Sequence, residues 1–219
     1  MKKWRCTVCS YIHTGPRPPE TCPVCGVSSE FFEEVQEEAT PAGGAASPPV
    51  VPLTQAGGKI KESLFKISYG LYVVSSKDRE NKINAQICNT VFQITSEPPR
   101  VALGINRNNL THDYIVQSQA LAVTVLGTAN MELVKHFGFQ TGRSVDKFAG
   151  MEYSLSPATG CPILAQGIAY LDCRVIPELS VNMGTHTLFI ADVIDGNIFG
   201  EDPPLTYGYY RANRARPGR

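Results

Sequence analysis

The sequence predicts a mainly β protein, in which a small metal-binding module precedes a closed or nearly closed β-barrel with a few helices. Two C-x-x-C pairs lie within the first 25 of the 219 residues, and Ala, Pro and Gly dominate residues 39–58. At least six strand-like segments with few helices between them follow Lys59. Short strands at close spacing are typical of a barrel.

The first predicted element is a four-cysteine metal site. Its candidate ligands are Cys6, Cys9, Cys22 and Cys25, and 12 residues separate the two pairs. A two-residue spacer lets both sulfurs of a pair reach one ion, and four thiolates suit a tetrahedral zinc or iron centre. The spacing alone leaves zinc and iron open. Because so small a module buries little apolar surface, we expect it to need the metal to fold.

Composition divides the chain into four predicted parts. Residues 1–36 form the metal module, residues 37–58 a linker, residues 59–210 the barrel, and residues 211–219 a basic tail. The prolines of the linker favour extended backbone and its glycines favour flexibility. The tail is interpreted as a solvated extension.

Strands and two helices are predicted within the barrel. The strand segments are residues 70–76, 84–95, 100–105, 120–126, 165–176 and 187–195. Two helices are predicted at residues 111–118 and 130–137, the first with Asp113 in its first turn and the second with a capping residue at Thr128 or Asn130. Turn signals such as Pro98-Pro99 and Asp195-Gly196 separate the segments.

Charge and composition exclude several classes of partner. The formal net charge is zero and 18% of the residues are charged, so neither a nucleic acid nor an acidic membrane surface is indicated. No apolar run approaches the roughly 18 residues of a membrane span, and metal ligands occupy the place of a signal peptide. Seven cysteines, four of them in a metal pattern, indicate a reducing cytoplasm.

The residues around the cysteines resemble a known family. Trp4, Tyr11 and the C-P-x-C-G segment at residues 22–26 are similar to the short rubredoxin module of rubrerythrins, and the resemblance covers residues 2 to about 36. The resemblance implies an Fe(Cys)₄ centre that carries one electron. A zinc ribbon used for docking remains the alternative.

A second resemblance covers residues 60 to about 210. Residues 70–75, 84–95, 98–103, 106–111, 184–190 and 204–207, in this order, resemble the flavin reductase-like, FMN-binding split-barrel family. The resemblance implies a homodimer that binds FMN and passes a hydride from a nicotinamide to the flavin. The complete fold class is then mainly β, a rubredoxin-like module followed by an FMN-binding split β-barrel with a few helices.

An FMN site needs a cradle for the phosphate and hydrogen-bond donors for the flavin edge. Polar side chains interrupt the segment that contains Asn84, Gln86, Ile87, Cys88, Asn89, Thr90 and Val91. By resemblance, residues 86–91 would line the isoalloxazine ring. The loop with Asn106, Arg107 and Asn108 enters a helix at Thr111 and is the candidate phosphate site; a hydrophilic turn with an ordinary N-cap is the alternative.

Three further candidates come from the resemblance. Lys147 and Phe148 belong to a D-K-F segment that would close over the flavin, with a salt-bridged surface loop as the alternative. His186 would lie beside the flavin and the nicotinamide and is the candidate catalytic residue, although a lone histidine at a strand start is more often structural.

The joined modules resemble the flavin reductase–rubredoxin fusions called high-molecular-weight rubredoxins. The resemblance implies electron transfer from NAD(P)H through FMN to iron and on to an acceptor such as a flavodiiron protein, which reduces O₂ or NO. A free flavin or ferric reductase, or a non-enzymatic FMN-binding protein with a zinc-ribbon docking module, remains possible. No G-x-G-x-x-G fingerprint distinguishes NADH from NADPH.

Overall fold

The computed structural model describes residues 2–8, 11–23, 26–35 and 59–214. Cys9, Cys25, the predicted linker and residues 215–219 of the predicted tail lie outside these ranges. The N-terminal module contains a three-stranded antiparallel sheet in the order β2-β1-β3. Its strands are β1 (Lys3–Cys6), β2 (Ile12–Thr14) and β3 (Phe32–Glu34).

Ten strands and four helices follow within residues 59–214 of the described chain. The strands are β4 (Tyr72–Lys77), β5 (Ile83–Cys88), β6 (Val91–Ser96), β7 (Pro99–Asn106), β8 (Ala120–Val125), β9 (Ser154–Leu155), β10 (Pro162–Ile163), β11 (Ala169–Val175), β12 (Val181–Asn182) and β13 (His186–Ile198). The helices are α1 (Lys59–Leu64), α2 (Leu110–Ser118), α3 (Met131–Gly138) and α4 (Tyr207–Asn213).

Eight of these strands form one antiparallel sheet, seven of them in the order β5-β4-β8-β11-β13-β7-β6 and β12 paired with β13. The two short strands β9 and β10 pair with each other in a separate sheet. The two ends of the larger sheet approach each other, since the Sγ of Cys88 at the end of β5 lies 3.7 Å from the carbonyl oxygen of Gly104 on β7. The larger sheet is therefore a nearly closed barrel, and the predicted fold class is confirmed.

Successive side chains of β4 point alternately into two separate apolar cores. Val74 points into the barrel with Leu121, whereas Val73 points to the opposite face and packs with Phe137 of α3. Because successive strand residues face opposite sides of a sheet, one strand supplies both cores. The second core fixes α3 and α4 against the outside of β4 and β5, next to the site described below.

The predicted strand over residues 84–95 is two strands. β5 ends at Cys88 and β6 begins at Val91. The side chain of Asn89 accepts a hydrogen bond from the hydroxyl of Thr90 at 3.2 Å, and such local bonds favour turns over a continuous ladder. The turn carries the polar residues of the predicted flavin segment between two strands instead of along one.

Helix α4 was not predicted. Its N-cap is Thr206, whose hydroxyl accepts a hydrogen bond from the amide of Tyr209 at 3.1 Å, and the helix continues to Asn213. The described part of the predicted solvated tail is therefore mostly helical. Of the three tyrosines in this segment, Tyr207 and Tyr210 pack in the second core and Tyr209 is exposed.

Candidate functional site

Of the four predicted metal ligands, the structure describes Cys6 and Cys22, which are both buried in the core of the module. The amide of Cys6 donates to the carbonyl of Tyr11 at 2.8 Å, and that of Cys22 to the carbonyl of Val27 at 2.7 Å. Gly26 has a φ of +76°, which favours glycine, and returns the chain towards Cys22. Buried thiols on turns that fold back towards them fit a thiolate-coordinated ion.

One cavity of about 570 Å³ lies between the module and the barrel. Its module wall contains Arg5, Cys6, Thr7, Val8 and Glu33. Eleven of the predicted cofactor residues lie on its barrel wall: Asn84, Gln86, Ile87, Cys88, Asn89, Thr90, Asn106, Asn108, Thr111, Lys147 and His186. The volume is in the range of small-molecule and cofactor sites. A candidate iron ligand and the candidate flavin contacts thus line the same cavity.

Three predicted contacts lie elsewhere. Val91 packs against the core inside the barrel, because β6 turns it away from the cavity. Phe148 packs in the second core, with its ring centroid 5.5 Å from that of Phe137. Arg107 lines a neighbouring cavity, where its guanidinium lies 3.3 Å from the carbonyl oxygen of Gly184. In the structure, Val91 and Phe148 make packing contacts and Arg107 braces the loop at Gly184.

Amide side chains join β5 to the start of α2. The Nδ2 of Asn84 donates to the hydroxyl of Thr111 at 2.8 Å, and the Nδ2 of Asn109 donates to the Oε1 of Gln86 at 3.0 Å. The first amides of a helix lack partners within the helix and attract anions. The network therefore holds a helix N-terminus at the cavity wall, which fits a phosphate group.

The charge of the wall also fits an anion. Four cationic side chains, Arg5, Arg143, Lys147 and Arg214, line the cavity, whereas Glu33 is the one acidic residue that the described chain contributes to it. Arg143 is held by an ion pair with Asp113 at 2.7 Å. An excess of positive charge in a concave site concentrates anionic ligands.

Lys147 is a buried residue and not part of a salt-bridged surface loop. Its ammonium donates to the carbonyls of Ala85 on β5, at 3.0 Å, and Phe137 near the end of α3, at 2.9 Å. Burial lowers the pKa of Lys147 to about 8. The side chain therefore braces the loop over residues 139–147 against both elements and contributes positive charge to the cavity.

His186 begins β13 and pairs with Asn106 on β7, so the strand register places it at the cavity. Its Nδ1 lies 2.9 Å from the hydroxyl of Thr185. Burial lowers the pKa of His186, which is therefore neutral at pH 7. A second histidine, His112, was not singled out from sequence; it is buried, and its Nε2 lies 2.8 Å from the hydroxyl of Thr187.

These histidines predict a loss of stability in acid. Burial lowers the pKa of both His112 and His186 below 6.5, so the unfolded chain binds more protons than the folded protein near and below that pH. We expect the urea midpoint to fall as the pH decreases from about 7.5 to about 5.5. A His112→Gln variant should lose part of this dependence. An identical pH dependence in the variant would contradict the assignment to His112.

Several wall residues were missed from sequence. They are Phe137, Phe139, Arg214 and the loop over residues 140–142. Gly142 gave a usable signal, because a Cβ at this position would lie 2.1 Å from the Oδ1 of Asn84. A glycine in a polar loop is consistent with such a close approach. The others lack a local signal, since only packing between distant segments brings them to the cavity.

The three cysteines of the barrel are all buried. Cys161 and Cys173 are fully buried, and burial raises the pKa of Cys161 to about 11. Cys88 lines the cavity, but burial raises the pKa of its thiol to about 12, which disfavours a reactive thiolate. Among the described residues, no helix combines the length and apolar character needed to cross a membrane.

Comparison with known proteins gives two family matches. Residues 64–216 match the flavin reductase like domain, and residues 4–33 match the rubrerythrin, rubredoxin-like domain. Over 151 residues, or 68% of this chain, the sequence is 42% identical to a high molecular weight rubredoxin of Moorella thermoacetica and 40% identical to a ferric-chelate reductase (NAD(P)H) of Archaeoglobus fulgidus. The matches cover 64% and 87% of those two proteins.

A solved structure supports the same fold. The NADH:FAD oxidoreductase SgcE6 of Streptomyces globisporus superposes with a TM-score of 0.62 at 20% identity, covering 74% of this chain and 93% of that protein. At this identity the likeness concerns the fold alone. Both resemblances indicated by the sequence, to rubredoxin-like modules and to flavin reductase-like split barrels, are confirmed by these matches.

Proposed function

Since this chain belongs to the flavin reductase-like domain family and carries a rubredoxin-like module, we propose that it passes electrons from NAD(P)H through FMN to an Fe(Cys)₄ centre. One observation carries the proposal: Cys6, a candidate iron ligand, lines the same cavity as Asn84, Gln86 and Thr111. When bound, FMN would accept a hydride and release its electrons singly, and the iron would carry one electron at a time.

The residues at the start of α2 would hold the FMN phosphate. Thr111 is fully buried, and the hydrogen bond from Asn84 orients its hydroxyl at the helix N-terminus. Arg143 lies on the same wall and adds a positive charge. Helix amides together with a cation are a common phosphate site, which supports assigning this end of the cavity to the phosphate.

The polar residues of β5 and of the turn after it would bind the flavin ring. Gln86 is fixed by Asn109 and faces the cavity, while Asn89 and Thr90 follow at the turn. His186 would lie at the nicotinamide side and contact the flavin and the hydride donor. Because its imidazole is neutral at pH 7, it would position the reactants by hydrogen bonding without placing a positive charge beside the donor.

The outside acceptor and the oligomeric state are part of the proposal. We propose a flavodiiron protein or a similar redox protein as acceptor, a reducing cytoplasm as location, and a homodimer as the working form. Exposed Phe92 and Ile94 lie on β6, the strand at the edge of the sheet, and support an apolar contact between copies.

A second candidate function is reduction of free flavin or of a ferric chelate. The 40% identity to the ferric-chelate reductase, which covers 87% of that protein, favours it. In this alternative, reduced FMN leaves the protein or electrons pass to an outside ferric complex without the N-terminal module. In the favoured proposal FMN stays bound while the iron is reduced.

A test is anaerobic mixing with NADH or NADPH, with flavin and thiolate–iron absorbance followed together. The favoured proposal expects bleaching of the flavin followed by bleaching of the iron. The filtrate through a membrane that retains the protein should contain no reduced FMN. Flavin bleaching with reduced FMN in the filtrate and an unchanged iron spectrum would instead support the free reductase.

Thr111 provides a test of the flavin site. Thr111→Val removes the hydroxyl that accepts from Asn84 and leaves a buried amide without that partner. The hydroxyl is also the group proposed to contact the phosphate, and a hydrogen bond to a charged group contributes about 1.5–3 kcal/mol, so we expect the Kd for FMN to rise about tenfold or more. Fluorescence titration of the flavin-free protein measures it. Thr128→Val is the matched control, because Thr128 does not line the cavity. An unchanged Kd for FMN in Thr111→Val would contradict the assigned phosphate site.

A further inference from the structure

The module rests on the barrel through an aromatic contact. Phe139 directly follows α3 and packs against the module core of Cys6, Cys22, Val27 and Phe32. Its ring centroid is 6.1 Å from that of Phe31, and the rings are tilted by 50°. This separation is typical of a favourable aromatic pair. A residue of the barrel thus completes the core of the metal module.

A second contact comes from the end of α4. Arg214 follows this helix, and its guanidinium lies so close to Gly26 that a Cβ on Gly26 would be 2.2 Å from an Arg214 nitrogen. The guanidinium also lies 6.0 Å from the ring centroid of Tyr210. Gly26 belongs to the turn after the second cysteine pair. Phe139 and Arg214 therefore contact two separate parts of the metal module.

These contacts give the module a defined orientation. The segment Cys6-Thr7-Val8 faces the cavity that contains the candidate flavin contacts. The amide and hydroxyl of Thr7 both contact the carbonyl of Phe31, at 2.8 and 3.1 Å. Phe31, which contacts Phe139, is thus hydrogen-bonded to the turn that contains Cys6, at the cavity wall. The packing of Phe31 against Phe139 consequently fixes the position of that turn.

We propose that the module docks in this orientation on the barrel of its own chain, and that Phe139 and Arg214 are the positioning residues that hold the Cys6 turn against the flavin cavity. This inference rests on the proposed function for the identity of the two cofactors. Each transfer oxidises the flavin by one electron and reduces ferric iron to ferrous iron. Two transfers, separated by delivery to the outside acceptor, therefore consume the electron pair of one hydride.

Because the module and the barrel belong to one chain, a small contact area is sufficient to keep the module docked. Residues 36–58 join the module to the barrel, and a short tether gives an effective concentration on the order of millimolar. Under that condition, a few well-packed contacts determine the docked fraction. Phe31, Phe139 and Arg214 are accordingly the side chains whose truncation should undock the module.

The experiment compares Phe31→Ala, Phe139→Ala and Arg214→Ala in the full, cofactor-loaded chain. Phe199→Ala and Arg211→Ala are matched controls, because neither residue lines the cavity. The reaction starts from fully reduced flavin, so an effect on hydride transfer does not enter. Because each test variant truncates an anchor residue of the interface, we expect iron reduction to slow by about tenfold in each of them and in neither control, and tenfold corresponds to about 1.4 kcal/mol.

Trp4 gives a readout that does not depend on electron transfer. It is the single tryptophan of the chain and belongs to the module, so bound flavin should quench its emission when the module is docked. In FMN-loaded protein with zinc in the module, we expect this quenching to weaken in the three variants. The Phe31→Ala/Phe139→Ala double variant should lose no more than the single variants, because both remove the same contact.

The outcomes separate this inference from the proposed function. Wild-type rates and Trp4 quenching in all three variants would overturn the docking proposal, as would an iron-reduction rate constant that rises with protein concentration. A wild-type chain whose iron is never reduced would overturn the proposed function instead. In that case, the Trp4 signal of the zinc-loaded protein would still support or contradict docking.

Discussion

Replacement of Cys6 by serine is expected to unfold the N-terminal module and to leave the barrel folded. Cys6 and Cys22 are fully buried and belong to a module core with only two other buried side chains among the described residues, Val27 and Phe32. A core of this size contributes little by itself. Structural metal sites in small modules supply about 10 kcal/mol or more, so losing one thiolate should remove most of the folding energy.

Metal content and near-ultraviolet circular dichroism measure this effect. In Cys6→Ser we expect no stoichiometric metal, loss of the signal of Trp4 and an unchanged far-ultraviolet signal from the barrel. Cys161→Ser is the matched control, because Cys161 is equally buried but lies in the barrel, where it should lower stability without changing the metal content. Stoichiometric metal and a folded module in Cys6→Ser would contradict the four-cysteine site.

Replacement of Phe137 by alanine is expected to destabilise the barrel and weaken FMN binding together. Phe137 is 1% exposed, packs in the second core against Phe148 and lines the cavity. Its carbonyl also accepts one of the two hydrogen bonds of Lys147. Truncating a buried Phe costs about 3–5 kcal/mol, and the void would lie beside the loop that carries Phe139 and Arg143.

Urea unfolding and FMN titration test this prediction. We expect the free energy of unfolding to fall by about 3–5 kcal/mol and the Kd for FMN to rise. Phe137→Leu keeps most of the buried volume and should cost clearly less, which separates a cavity effect from loss of the fold. Phe199→Ala is the control, since Phe199 is 37% exposed. If Phe137→Ala lowered the free energy of unfolding no more than the control does, the proposed role of Phe137 in the second core would be contradicted.

Sequence was sufficient where the determinants are local. The β4 and β13 strands and the start of α2 each depend on neighbouring residues, and their predicted positions agree closely with the structure. The turn at Asn89 and Thr90 was missed because the surrounding residues favour strand. Helix α4 was missed because a helix of seven residues is stabilised by packing under the barrel more than by propensity.

The cavity was only half predictable for the same reason. Asn84, Gln86 and Thr111 carry local polar signals, whereas Arg5, Phe139 and Arg214 come from three distant segments that meet only after folding. Val91 and Arg107 were assigned to the flavin by position in the sequence. The pleat of β6 turns Val91 towards the core inside the barrel, and the loop before α2 places Arg107 at a neighbouring cavity. The direction of a strand side chain depends on the strand register, which a single sequence does not reveal.

Metal analysis combined with the visible spectrum, before and after addition of NADH or NADPH under anaerobic conditions, tests the central claim most directly. We predict one iron per chain, bound FMN, and thiolate–iron bands that bleach along with the flavin. Zinc in place of iron, with bleaching of the flavin alone, would contradict electron transfer between the two sites. The N-terminal module would then be a docking element attached to a flavin reductase.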